Sequence, residues 1–101
     1  MKISNLFREK RSVFSFEIFP PKPTADLSGI ENTVSALADL SPDYISVTCS
    51  AGGSGNSRTA EIAGMLKKYG VEPLAHVTCG NSRAEDVEKT LASLSAAGVD
   101  N

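Results

Sequence analysis

The chain has 101 residues, a formal net charge of -2 and 41% hydrophobic residues, which is the composition of one soluble globular unit. It carries no strongly basic patch and no apolar run long enough to cross a membrane, so we expect neither a nucleic-acid partner nor a membrane. Its two cysteines are too few for a disulfide framework, and the N-terminus lacks an apolar signal core, which together favour a cytoplasmic location.

The first strand is predicted within the stretch Val13 to Lys22, where aromatic and β-branched residues dominate. The prolines at 20 and 21 end it, because proline cannot donate to a sheet ladder. Strand alternation places Glu17 on the face opposite Phe16. Glu17 is then either an edge carboxylate that faces water or an acid enclosed by apolar neighbours and poised for proton transfer.

Two helix starts are predicted from paired residues. Ser28 with Glu31 and Ser82 with Glu85 both have the spacing of a capping box. The first of these helices ends at Ser41, because a residue that precedes proline avoids helical dihedral angles.

A strand followed by a helix recurs about every 30 residues, the size of one βα unit. The second strand is predicted at Tyr44 to Thr48 and the third at Glu72 to Thr78, with Gly70 and Gly98 ending the helices that follow them. This alternation predicts a parallel sheet with its strands in sequence order. A fourth strand is due near Val99, so we expect the first part of a longer α/β protein. The alternative is a complete small unit that hides its sheet edges by self-association.

Three polar side chains are predicted to meet where the strands end: Glu17, Thr48 and His76. In parallel α/β proteins the active face lies at the carboxyl ends of the strands. Each residue also has a plain structural interpretation, Thr48 as a strand former and His76 as a structural histidine. Because the first and third strands lie about 10 Å apart, we expect the Glu17 and His76 side chains within about 12 Å of each other.

Two further features carry weaker signals. The glycine-rich loop at 52–55 follows a strand and precedes a helix, where phosphates can bind, but it matches neither a dinucleotide fingerprint nor a P-loop. A flexible connector is the competing interpretation. Cys49 and Cys79 lie one repeat apart and are predicted to be buried small residues, because a redox pair or a metal site would need more ligands. No metal site is therefore predicted.

Three segments resemble motifs of the methylenetetrahydrofolate reductase family. They are Ser-Phe-Glu-Ile-Phe-Pro-Pro-Lys at 15–22, Ile-Ser-Val-Thr at 45–48 with Ala-Gly-Gly-Ser at 51–54 and Arg-Thr at 58–59, and Pro-Leu-Ala-His-Val-Thr-Cys at 73–79. The resemblance implies a (β/α)8 TIM barrel. Residues 1–101 would be the N-terminal fragment of that single domain, covering about its first three βα units as an incomplete barrel.

The resemblance also implies an activity. The family binds FAD and reduces 5,10-methylenetetrahydrofolate to 5-methyltetrahydrofolate with NADH or NADPH, in one-carbon metabolism and methionine biosynthesis. It implies that Glu17 protonates the folate amine and that Thr48, Cys49, Ala51 and His76 contact the cofactor. Cys49 departs from the family, which often carries an aromatic residue there. The parent protein is expected to be a homo-oligomer and active, and this chain alone inactive, because the fourth-strand flavin contacts are absent.

Two other classes remain open. One is a different (β/α)8 enzyme, such as an aldolase or a cobalamin-linked methyltransferase, although the three strands carry no lysine for a Schiff base. The other is a non-catalytic interaction fragment, which flavin absorbance of the purified protein would separate from an enzyme.

Overall fold

The computed structural model describes residues 1–22, 24–49, 58–80 and 82–101. It is an α/β fold in which three parallel strands lie in the order β1-β2-β3. The elements in chain order are α1 (Ile3–Glu9), β1 (Ser15–Ile18), α2 (Ser28–Ala38), β2 (Tyr44–Val47), α3 (Thr59–Lys68), β3 (Pro73–Ala75) and α4 (Ala84–Ala96). The predicted parallel sheet with strands in sequence order is confirmed.

One face of the sheet forms the core with the helices. Phe16 pairs in register with Ile45, and Ile18 with Val47, so apolar side chains of neighbouring strands fall side by side. The core cluster consists of Ile18, Val34, Ile45, Val47, Ile62, Ala63, Leu66, Val71, Leu94 and Val99. The predicted alternation is confirmed for Phe16 and Glu17, which lie on opposite faces. Phe14 has the parity of Phe16, but it is 52% exposed and stacks edge-on against Phe16 instead of entering the core. Phe14 lies before the first residue of β1, beyond the part of the sheet that packs on the helices.

Both predicted capping boxes are wrong. The N–H of Ser28, the first residue of α2, donates to Oδ1 of Asp26 at 2.9 Å, so an aspartate two residues upstream holds the helix start. This hydrogen bond also lowers the pKa of Asp26. The hydroxyl of Ser82 donates to the carbonyl of Thr78 at 3.3 Å, and the N-cap residue of α4 is Arg83, with no side-chain hydrogen bond to the helix start.

The predicted glycine ends of α3 and α4 are confirmed. Gly70 has φ of 76°, a left-handed conformation that glycine adopts without steric cost. The next residue, Val71, donates its N–H to the carbonyl of Leu66 at 3.0 Å, and both side chains are buried. The end of α4 repeats this arrangement around Gly98.

The helix α1 lies against the far end of the sheet, where the strands begin. Ile3 and Leu6 are buried. The side chain of Asn101 accepts the N–H of Ile3 at 2.9 Å and donates to the carbonyl of Met1 at 2.7 Å. The backbone carbonyl of Asn101 accepts the N–H of Ala75 at 2.9 Å. The residues after α4 therefore return to the free edge of β3.

The helix α4 is covered only in part. Leu94 is buried, whereas Leu91, about one turn earlier in the helix, is 52% exposed because the contacts of α4 with the core run through its C-terminal half. Across the four described ranges, no helix is both long enough and apolar enough to cross a membrane.

Candidate active site

The sheet face turned away from the core carries the predicted polar residues. Glu17 pairs in register with Ser46, and because side chains alternate along a strand, Thr48 and His76 share that face. The His76 Nε2 atom lies 3.9 Å from Oε2 of Glu17, well inside the expected separation. The predicted meeting of Glu17 and His76 across the sheet is confirmed.

Two predictions were made for Glu17, an edge carboxylate that faces water and an acid enclosed by apolar neighbours, and its surroundings do not match the second. Its side chain is 49% exposed. Strand alternation sends Phe16 to the opposite face, and Phe19, which shares the parity of Glu17, is 71% exposed. Among the described residues, the neighbouring phenylalanines therefore do not enclose this carboxylate, and the edge-carboxylate interpretation describes its solvation.

Ser46 is the site residue that the sequence analysis missed. It is only 8% exposed, and its hydroxyl donates to Oε2 of Glu17 at 3.0 Å. The signal was present in the sequence, because a serine in the middle of an apolar strand needs a hydrogen-bond partner. The parallel register then aligns it with Glu17.

His76 places an imidazole next to the Glu17 carboxylate. Its backbone N–H donates to the carbonyl of Val47 at 3.0 Å, which continues the ladder beyond β3. Its side chain is 42% exposed, and the imidazole attracts Glu17 only when it is protonated. An ion pair as exposed as this contributes about 0–1 kcal/mol to stability. The pair therefore adds little to the stability of the fold.

Thr48 ends the second strand and is fixed through its backbone. Its N–H donates to the carbonyl of Ile18 at 3.1 Å. Its carbonyl accepts the hydroxyl of Thr59 at 2.9 Å, so the start of α3 is tied to the end of β2. Strand alternation then assigns the Thr48 side chain to the face of Glu17 and Ser46.

Arg58, the residue before α3, anchors the start of that helix. The guanidinium donates to the carbonyl of Ala25 at 2.6 Å and lies 3.6 Å from Glu61. This arginine therefore joins the segment after β1 to the start of α3. Ala51 and the glycine-rich loop fall at 50–57, outside the described residues, and the predictions for them stay predictions.

The two cysteines differ in exposure. Cys49 is half-buried, but Cys79 is exposed, so the prediction that both are buried is wrong for Cys79. Cys79 lies four residues beyond the end of β3, past the part of the sheet that the helices cover. In the part of the chain that the structure describes, no group of three or more histidine, cysteine or acidic side chains could hold a metal ion.

Comparison with known proteins gives a consistent result. The family described as "Methylenetetrahydrofolate reductase" matches residues 2–101. A relative from Oryza sativa, named "Probable methylenetetrahydrofolate reductase (NADH)", is 33% identical over 99% of this chain and 17% of its own length. "Methylenetetrahydrofolate reductase (NADH) 1" from Arabidopsis thaliana is 31% identical over the same shares. "5,10-methylenetetrahydrofolate reductase" from Escherichia coli is 32% identical over 72% of this chain and 25% of its own length.

The chain spans about a sixth of the length of these plant relatives and a quarter of the bacterial one. The match nevertheless runs through every strand and helix of the described residues. The chain belongs to the methylenetetrahydrofolate reductase family.

Proposed function

We propose that residues 1–101 form the first part of a single (β/α)8 barrel and that the protein reduces 5,10-methylenetetrahydrofolate to 5-methyltetrahydrofolate with NADH or NADPH. Membership of the family supports the reaction. The bond between Asn101 and Ala75 supports the barrel, because it lays the chain after α4 along β3, where a fourth parallel strand would continue the sheet. The observation that carries the proposal is the Glu17 carboxylate, held on the open sheet face between Ser46 and His76.

Glu17 acts as the acid of the folate half-reaction. The five-membered ring of the substrate opens when its bridging amine nitrogen is protonated, which exposes an electrophilic carbon to hydride. Glu17 is a proton donor near the C-terminal end of its strand, where substrates bind in parallel α/β enzymes. A positioned general acid accelerates such a step by about 10²–10⁴-fold.

The residues on this face fit a bound flavin. Thr48 and His76 offer hydrogen-bonding groups beside half-buried Leu74, on a face where the Glu17 and His76 side chains are 49% and 42% exposed, so a flat ring system has both polar and apolar contacts there. Thr48, Cys49 and His76 would hold FAD, with Ala51 as the fourth proposed contact. FAD supplies the hydride carrier between the nicotinamide and the folate. The protein positions the substrates and delivers the proton.

The test separates the two half-reactions in the complete protein. We expect Glu17→Gln to slow oxidation of the reduced flavin by methylenetetrahydrofolate about 100-fold or more, because the amide cannot supply the proton. Flavin reduction by NADH or NADPH should stay near the wild-type rate. Stopped-flow absorbance of the flavin measures both. Glu88→Gln on exposed α4 is the matched control and should leave both rates unchanged.

Two results would contradict the proposal. A purified complete protein without flavin absorbance would argue against the reductase. Equal losses in both half-reactions of Glu17→Gln would mean that Glu17 holds the cofactor and does not deliver a proton.

A further inference from the structure

We propose that Ser46 is the positioning residue for the acid: its hydroxyl holds Oε2 of Glu17 and thereby leaves Oε1 to deliver the proton. The inference rests on the proposed function of Glu17. Its observation is the hydrogen bond of 3.0 Å that joins the middle of β2 to the middle of β1.

Ser46 is a rigid anchor. It lies on the central strand between Ile45 and Val47, both 0% exposed, and β2 pairs with a neighbour on each side. A serine has a single side-chain torsion before its oxygen, so its hydroxyl occupies a well-defined place once the backbone is fixed. Glu17, by contrast, has three torsions and a side chain that is 49% exposed.

The hydroxyl of Ser46 is the group that orients the carboxylate. Within the described residues, Glu17 has two polar side-chain neighbours, Ser46 and His76. The imidazole nitrogen at 3.9 Å is beyond hydrogen-bond distance, and it attracts the carboxylate without setting its direction. The 3.0 Å contact from Ser46 sets that direction.

The hydrogen bond also assigns the reacting oxygen. Because Oε2 accepts the Ser46 hydroxyl, the acidic proton of Glu17 resides on Oε1. In the proton transfer the O–H bond at Oε1 breaks, an N–H bond forms at the folate amine, and the electron pair stays on the carboxylate. The hydrogen bond from Ser46 strengthens as this negative charge develops, since bonds to ionised acceptors are about twice as strong as neutral ones. Ser46 therefore acts on the rate of the step more than on substrate binding.

The experiment compares two substitutions of nearly equal shape in the complete protein. Ser46→Thr keeps the hydroxyl and Ser46→Val replaces it with a methyl group, and both residues suit a strand. We expect Ser46→Val to slow folate-dependent flavin oxidation at saturating folate by about tenfold, the size of a lost hydrogen bond to a charged group. KM for the folate and the rate of flavin reduction by the nicotinamide should stay unchanged. Ser46→Thr should retain the wild-type rate, and Ser15→Ala, on the same exposed face of β1, is the matched control.

A second readout needs no activity. In the complete protein, nuclear Overhauser contacts between the Glu17 γ-protons and the β-protons of residue 46 report the carboxylate orientation. We expect these contacts, and a single Glu17 rotamer, in wild type and Ser46→Thr, and an averaged rotamer in Ser46→Val.

Three outcomes overturn the inference. The first is that Ser46→Val oxidises its flavin with the folate at the wild-type rate. The second is that Ser46→Val slows both half-reactions equally. The third is that Ser46→Thr is as slow as Ser46→Val in the folate half-reaction. Failure of the proposed function looks different, because the wild-type protein itself would then show no folate-dependent oxidation of its flavin.

Discussion

The effect of Leu66→Ala on the free energy of unfolding tests whether α3 lies at the centre of the core. The Leu66 side chain is 0% exposed, so Leu66→Ala removes fully buried carbons and leaves a cavity, which costs about 3 kcal/mol in free energy of unfolding. Leu91→Ala makes the same chemical change on α4, where the side chain is 52% exposed. That variant loses about half of the transfer free energy and opens no cavity, so its cost stays below about 1 kcal/mol.

Urea unfolding followed by circular dichroism, at equal and low protein concentration, measures the difference between these two variants. We expect about 2 kcal/mol or more between them, with the same dependence on urea concentration. Equal losses for the two variants would refute the reasoning, because they would show that burial in the structure does not determine which leucine stabilises the chain.

Two further predictions concern association and acid stability. Expressed alone, the chain should self-associate through its free sheet edges and exposed apolar side chains such as Phe14 and Leu91, and a monodisperse monomer with a cooperative, high melting temperature in analytical ultracentrifugation and calorimetry would contradict this. The hydrogen bond from Lys10, with that from the N–H of Phe14, holds the pKa of Asp43 below its ordinary value of 3.8. The folded carboxyl therefore binds its proton less tightly than the unfolded one, so its contribution to stability is full above that value and is lost as the pH falls through the lowered pKa. We expect wild type to lose stability more steeply with acid than Asp43→Asn, and parallel acid-unfolding curves would contradict the assignment.

The sheet could be predicted from the sequence because its signals are local. A strand of period two, such as Tyr44 to Val47, has one parity that is apolar, and this parity fixes which side chains face the core. The repeat of strand and helix fixes the strand order. Together they placed Glu17 and His76 on one face without any knowledge of coordinates.

Sequence reasoning missed features of two kinds. They are helix starts where two side chains compete for one N–H, and contacts between residues that lie far apart along the chain. Ser28 and Glu31 had the right spacing for a capping box, but Asp26 accepts the N–H of Ser28 that Glu31 would accept in such a box. The exposure of the Glu17 side chain depends on which groups lie over the open sheet face. The residues next to Glu17 in the sequence do not determine this. The hydrogen bond from Ile3 to Asn101 joins residues 98 positions apart, a contact that no local pattern predicts.

That long-range contact also bears on the order in which the molecule is assembled. The side-chain ammonium of Lys2 donates to the carbonyl of Asp100 at 2.9 Å, so these two contacts at the start of α1 can form only after residues 100 and 101 have been synthesised. At a synthesis rate of about 5–20 residues per second, the interval is on the order of 5–20 s. During that time the start of α1 lacks both of these hydrogen bonds. Lys2 and Ile3 thus reach these contacts only after α4 has been synthesised.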